Sequence, residues 1–220
     1  MPDLTVRDLV VQSKDGRRIL EVDNLDIAEG ETLGVRGPSG AGKSTLLHAL
    51  AGLLRPSQGE IRWGDRNIAA LSEGNRDAFR LKTMGLIFQD FLLFEELSAL
   101  GNAAVSAAYA TPGDRASLRQ RAADLLVRLG LEAGARDVST FSGGERQRVA
   151  VARALATDPA VILADEPTAS LDRVNADRLV DDLLELARAN KRSVIAVSHD
   201  PAVTGTMDRV IEVVDGRVRA

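Results

Sequence analysis

The sequence predicts one α/β domain with a doubly wound core and a helical lobe inserted into it. Three observations predict this. Apolar runs at Met84 to Phe88, Ala160 to Ala164 and Ser193 to Val197 are continuous rather than alternating, as in parallel strands covered by helices on both faces. A helical stretch from Asn175 to Asn190, with Leu179, Leu183, Leu184 and Leu186 towards one side, lies between two of those runs. The stretch from about Glu95 to Ala156 carries helix-forming runs and no convincing strand, so it reads as an insertion in the core.

The elements follow in order. Leu4 to Val11 alternates at first, and Asp15-Gly16 offers a turn before Ile19 to Val22. Glu29-Gly30 marks a second turn, after which Thr32 to Arg36 forms a short strand running into a glycine-rich loop. Leu46, Leu47 and Leu50 give Lys43 to Ala51 a helical pattern, with Gly52 as its stop. The inserted helices are expected at Asn102 to Ala110, Ser117 to Leu129 and Glu145 to Ala156. Residues 1–220 are expected to form a single domain, with about 1–89 and 157–220 as the α/β lobe and about 90–156 as the helical lobe.

Composition narrows the classes. The 220 residues suffice for one such domain with a substantial core. A net charge of -4 offers no basic field for nucleic acid or anionic lipid, so no nucleic-acid partner is expected. The lack of cysteine excludes disulfides, thiol nucleophiles and thiolate metal sites, and fits a reducing compartment. No stretch reaches the roughly 20 apolar residues that cross a bilayer, and Met1-Pro2-Asp3-Leu4 lacks the regions of a signal peptide. The chain reads as a soluble part, to which another protein supplies any membrane.

Gly37-Pro38-Ser39-Gly40-Ala41-Gly42-Lys43-Ser44 satisfies the phosphate-loop pattern G-x-x-x-x-G-K-[ST]. Glycines let backbone N–H groups approach phosphate oxygens without an intervening Cβ. The helix opening near Lys43 aims its positive end at the same anion. Lys43 suits the β- and γ-phosphates, and the Ser44 hydroxyl suits Mg²⁺. The bland alternative is a glycine-rich turn before a helix. A predicted strand before the loop and a helix after it favour nucleotide binding.

Val161-Ile162-Leu163-Ala164-Asp165-Glu166 is an apolar run ending in two carboxylates. Ligands of open α/β sheets sit at the carboxyl ends of strands, which would face these acids towards bound phosphates. Asp165 then fits a Mg²⁺ contact, and Glu166 is placed to polarise an attacking water. Alone, the pair is weak evidence, because a solvated acidic turn before Pro167 is common at strand ends; a phosphate loop in the same chain favours the functional reading. Ser142-Gly143-Gly144-Glu145 forms a second candidate anion nest at a helix start, and is also the pattern of an ordinary capping box. Both can hold.

That run, with Phe141 before it, resembles the LSGGQ signature of ATP-binding-cassette (ABC) proteins. Gln89 after Gly85-Leu86-Ile87-Phe88 resembles the family's Q-loop, Ser170-Leu171-Asp172 its D-loop, and His199 in Val197-Ser198-His199-Asp200 its switch histidine. The resemblance covers nearly the whole chain. It implies the ABC nucleotide-binding domain, an α/β P-loop NTPase core with an N-terminal antiparallel β subdomain and an inserted helical subdomain. It implies an ATPase using ATP and Mg²⁺ in a head-to-tail dimer with itself or a related ATPase. ATP held by Gly37 to Thr45 of one subunit would be capped by Ser142 to Glu145 of the other. Glu166 would be the general base, His199 would contact the γ-phosphate, Gln89 would contact Mg²⁺ and the attacking water, and Asp172 would link the two sites.

His48, on the helix after the phosphate loop, is read as structural. Family members usually stack an aromatic on adenine, but this chain has none before Trp63. Arg17 could serve instead, with weak discrimination between ATP and GTP expected. In the family a transmembrane permease subunit docks near the Q-loop, and Asp90-Phe91-Leu92-Leu93-Phe94 could supply that contact or pack under the lobe's own helices. Localisation would be cytoplasmic and peripheral on the membrane. Ile87 to Phe91 and Leu163 to Thr168 look similar to the lipoprotein-releasing, macrolide-exporting and cell-division ATPases. Ala169-Ser170 and Gly101-Asn102 depart from that group. A soluble ABC ATPase without a transport role is the alternative, and a small-molecule P-loop kinase would have no use for Ser142-Gly143-Gly144 or His199.

Overall fold

The computed structural model describes residues 2–131 and 137–219, so residues 132–136 of the expected helical lobe lie outside the described residues. Two long antiparallel strands open the chain, β1 (Leu4–Gln12) and β2 (Arg18–Ile27), in register from Leu4 against Ile27. The strand β2 continues past its expected end at Val22: after two exposed residues, Asp23 and Asn24, the inward positions resume one residue out of phase at Leu25 and Ile27, with Asp26 facing solvent between them. β3 (Thr32–Arg36) leads through the glycine-rich loop into α1 (Lys43–Leu50). β4 (Gln58–Trp63) and β5 (Arg66–Asn67) form a hairpin beside β1. Next comes α2 (Glu73–Thr83), which the apolar pattern does not announce because none of its residues is fully buried.

Between β6 (Met84–Ile87) and β7 (Val161–Asp165) lie α3 (Ala99–Ala103), α4 (Pro112–Arg128) and α5 (Gly143–Ala156). The single helix expected over Asn102 to Ala110 is corrected. Ser98 caps α3, Ala104 leaves helical geometry, and Val105–Tyr109 closes as a 3₁₀ segment. The buried apolar residues of the run are small, Ala103, Ala104 and Ala107, while its larger side chains Val105 and Tyr109 are not buried, so no buried stripe enforces an α-helix. The start of α4 precedes the expected Ser117, with Pro112 in the first turn, where its missing N–H is harmless. After β7 come α6 (Arg173–Ala189), β8 (Ser193–Val197), α7 (Pro201–Thr204), β9 (Arg209–Val214) and β10 (Arg217–Arg219).

Among the described residues, all ten strands join one sheet in the order β5-β4-β1-β2-β10-β9-β3-β8-β7-β6. The run β9-β3-β8-β7-β6 is wholly parallel, so its strands end along one edge. Apolar clusters cover both faces. Ile162, Ala164, Val194 and Ala196 pack with the helical lobe and α6, while Val161, Leu163, Ile195 and Val197 pack with α1 and the antiparallel strands. Two covered faces explain why β7 and β8 read as unbroken apolar runs.

Candidate functional site

The parallel strands deliver their following loops to a common edge. Gly37, Pro38, Ser39, Gly40, Ala41, Gly42, Lys43, Ser44 and Thr45 form the turn from β3 into α1. Two glycines are obligatory there. Gly37 has φ 149°, and a Cβ on it would stand 2.1 Å from the Val213 carbonyl oxygen; Gly42 caps α1 with φ 105°. No side chain caps α1, which leaves its first N–H groups for an incoming anion. The Lys43 ammonium donates to the Gly37 and Pro38 carbonyls at 2.9 Å each, which holds it over the loop.

The Ser44 hydroxyl donates to Asp165 Oδ1 at 3.2 Å, across 121 residues of sequence. Asp165 is buried at the end of β7, and Glu166 follows it with φ 47°, an unusual conformation for a non-glycine residue. The Glu166 N–H donates to the Val197 carbonyl at 2.9 Å, which ties this turn to β8. Glu166 Oε2 lies 3.0 Å from His199 Nδ1 and accepts a 3.4 Å hydrogen bond from the Ser198 hydroxyl. The Glu166 side chain is 13% exposed and that of His199 74%, so a solvent-facing imidazole leans on an enclosed carboxylate. Gln89 is exposed in the turn two residues beyond the end of β6 at Ile87, whose register partner is Ala164, the residue before Asp165.

The second candidate nest is a closed capping box. Glu145 N–H donates to Ser142 Oγ at 3.2 Å, and Glu145 Oε2 accepts from the Ser142 N–H at 2.8 Å. Gly143 and Gly144 also have a local reason to be small. A Cβ on Gly143 would lie 3.3 Å from the Ser170 carbonyl oxygen, and one on Gly144 would lie 3.1 Å from the Leu171 side chain. Asp172 caps α6 by accepting from the Asn175 N–H at 3.0 Å, and these local hydrogen bonds hold its carboxyl below the ordinary carboxylate range. Arg173 donates to Asp200 at 3.2 Å, joining the start of α6 to the segment after His199.

These residues fit a magnesium nucleotide. The loop offers backbone donors and a lysine, while Ser44 and Asp165 pair a hydroxyl with a carboxylate, both hard oxygen ligands. Among the described residues no group of three or more His, Cys, Asp or Glu could hold a metal ion. That is compatible with Mg²⁺, which takes few protein ligands and completes its shell with phosphate and water.

Other residues fall outside this edge. His48 makes a tilted ring contact with Phe88, centroids 6.3 Å apart, in keeping with a structural role. Arg17 and Arg18 line a cavity of about 260 Å³ beside Pro38 to Ala41, with Asp215 and Gly216 opposite. Sequence reasoning passed over Ser198, Arg173, Asn102 and Arg153. Ser198 adjoins His199 and Asn102 belongs to the Gly101-Asn102 pair, while Arg173 and Arg153 carry no signal in the sequence. Among the described residues no helix is long and apolar enough to cross a membrane.

A family profile described as ABC transporter matches residues 20–169. The chain is 47% identical over 206 residues to the macrolide export ATP-binding/permease protein MacB 1/2 of Paracoccus denitrificans, which covers 92% of this chain and 30% of that protein. It therefore spans less than a third of that relative's length. It is 42% identical over 211 residues to the lipoprotein-releasing system ATP-binding protein LolD of Xylella fastidiosa, covering 93% and 87%. A solved ATP-binding cassette, dimeric in a post-hydrolysis state with ADP and Pi, superposes with TM-score 0.90 at 32% identity, covering 99% of this chain and 97% of that one.

Proposed function

The chain belongs to the ABC transporter family as one of its ATPase cassettes, and from that premise we propose that it powers a separate transmembrane permease as a head-to-tail dimer. The observation that carries the reading is the cluster at one sheet edge: Ser44 bonded to Asp165, and Glu166 paired with His199, beside the phosphate loop. Each of the two sites is shared, with Gly37 to Thr45 from one subunit and Ser142 to Glu145 from the other. The similar cassette dimer supports such an arrangement.

Bound Mg-ATP supplies the phosphoryl group and neutralises part of its charge. Ser44 and Asp165 would hold the ion, and Gln89 would reach it and the attacking water. Lys43 and the loop amides bind the phosphates. Glu166 would take the proton of that water as it attacks the γ-phosphate in line, the bond to the β-phosphate oxygen breaking and ADP leaving to give inorganic phosphate. His199 contacts the γ-phosphate and holds Glu166 Oε2, leaving Oε1 for the water. Asp172 links the two sites across the dimer. Catalysis is then positioning and charge stabilisation.

The permease reading draws on a cavity of about 500 Å³ beside the loop after Gln89, lined in part by Leu81, Leu92 and Tyr109. All three are exposed large apolar residues, at 44%, 56% and 79%. The names of the relatives favour export or lipoprotein release, with the chain on the cytoplasmic face of the membrane. The test is co-purification of tagged Glu166→Gln protein from detergent-solubilised membranes with Mg-ATP, with bound chains identified by mass spectrometry. A stoichiometric polytopic membrane protein supports the proposal. Only soluble partners, across several detergents, would shift the reading to a soluble ABC ATPase.

A further inference from the structure

The segment that follows Gln89 is held in an unusual way. Phe91 and Leu92 both adopt left-handed backbone, with φ 57° and 49°, although neither is glycine. Bulky side chains rarely occupy that region singly, and two in succession need an outside constraint. The Leu92 N–H turns back to the Asp90 carbonyl and the Phe91 N–H to the Phe88 carbonyl at 3.2 Å, a tight local path.

The constraint comes from α5. The Arg153 guanidinium donates to both strained residues, to the Phe91 carbonyl at 2.6 Å through Nη2 and to the Leu92 carbonyl through Nη1. Among the described residues it forms no ion pair, so two main-chain carbonyls carry its charge. Burial pushes its pKa down with no carboxylate to oppose the shift, yet a guanidinium remains charged. Charge-assisted bonds from one planar fork suit two adjacent carbonyls, which a lysine could not match. The far side of the loop is fixed as well. Fully buried Asn102 accepts from the Phe94 N–H at 2.8 Å and donates to the Phe94 carbonyl at 2.9 Å. Gln89 is therefore followed by a loop clasped at two points, and one clasp belongs to the helix that begins at Ser142–Glu145.

We propose that Arg153 is a positioning residue that sets Gln89 by clasping Phe91 and Leu92, and thereby links the Gln89 loop to the helix carrying Ser142 to Glu145. Arg153 and Leu92 also line the apolar cavity beside the loop, so a segment seated there would press on the clasp and reach Gln89 through it. The inference rests on the reading that Gln89 serves the nucleotide site.

The test compares Arg153→Met, Arg153→Lys and Gln89→Ala, singly and combined, by steady-state ATPase kinetics and by amide hydrogen exchange over residues 86–97. Arg153→Met should lower kcat about tenfold with KM within about twofold, because a loop displaced by an ångström or less degrades alignment rather than binding. Exchange from Gln89 to Leu93 should quicken while α5 stays protected. Arg153→Lys, keeping the charge and one donor direction, should recover part of the loss, and it carries the test if Arg153→Met does not fold. In the Gln89→Ala background Arg153→Met should cost little more. Unchanged exchange at Gln89 to Leu93, or the full tenfold loss persisting without Gln89, would overturn the clasp. Wild-type turnover in Gln89→Ala would instead overturn the reading of Gln89, and the exchange data separate the two failures.

Discussion

The pairing of Glu166 with His199 yields a prediction that can be worked from distances. Replacing Glu166 by Gln keeps the shape of a side chain only 13% exposed and removes its basicity. Loss of a general base costs about 10²- to 10⁴-fold in kcat, roughly 3–5 kcal/mol of barrier. His199 acts on that carboxylate through one 3.0 Å contact. A hydrogen bond to a charged group contributes about 1.5–3 kcal/mol, but an imidazole 74% exposed has water as a competitor. About 1.4 kcal/mol, a factor of ten in rate, is the expected coupling. His199→Ala should therefore lower kcat about tenfold more in the wild-type background than in the Glu166→Gln background. Any loss that remains in the latter background reads the direct contact of His199 with the γ-phosphate. The assay is single-turnover phosphate release at saturating Mg-ATP, sensitive enough to quantify the Glu166→Gln rate. Strictly multiplicative effects would refute the coupling, and Glu166→Gln turnover within tenfold of wild type would remove Glu166 as the base.

Lys43→Ala should weaken ATP binding itself by at least about tenfold, read by titration calorimetry; unchanged affinity would mean the loop does not hold phosphate. The cavity beside Pro38 to Ala41 is lined by Arg17 and Arg18 and by no aromatic residue, so ATP and GTP should bind and turn over comparably. Strong ATP selectivity would contradict this. Asp208 accepts from the Thr32 N–H and hydroxyl at 2.9 Å each, which holds its carboxyl below the ordinary range. A depressed folded-state pKa stabilises above the unfolded value near 3.9 and loses that effect as pH falls through the folded one. Asp208→Asn should thus lower Tm at pH 7 and make progressively less difference below about pH 4; an effect independent of pH would show that its charge is immaterial.

Much of the site is legible in the sequence because its parts are local. Gly37 to Thr45 is a loop whose chemistry depends on spacing alone, and Gly37 and Gly42 prove to need the conformations that only glycine adopts freely. Asp165-Glu166 and His199 stand at the ends of apolar runs, and strand ends predict an edge. The Ser142–Glu145 capping box is likewise a matter of four consecutive residues. The 3₁₀ segment at Val105–Tyr109 and the start of α4 were less legible, since alanine-rich and polar runs leave helix limits to packing.

By itself, then, the sequence determined a phosphate loop, an acidic strand end and a doubly wound core, because these follow from local backbone chemistry and apolar patterning. Tertiary structure alone decided which groups meet. Ser44 reaches Asp165 across 121 residues, and Arg153 reaches Phe91 across 62. His199 meets Glu166 only because β8 pairs with β7 in the register that sets Asp165 against Val197. Such contacts depend on strand register and helix placement, which the burial of two whole faces of the sheet sets collectively and no short motif encodes.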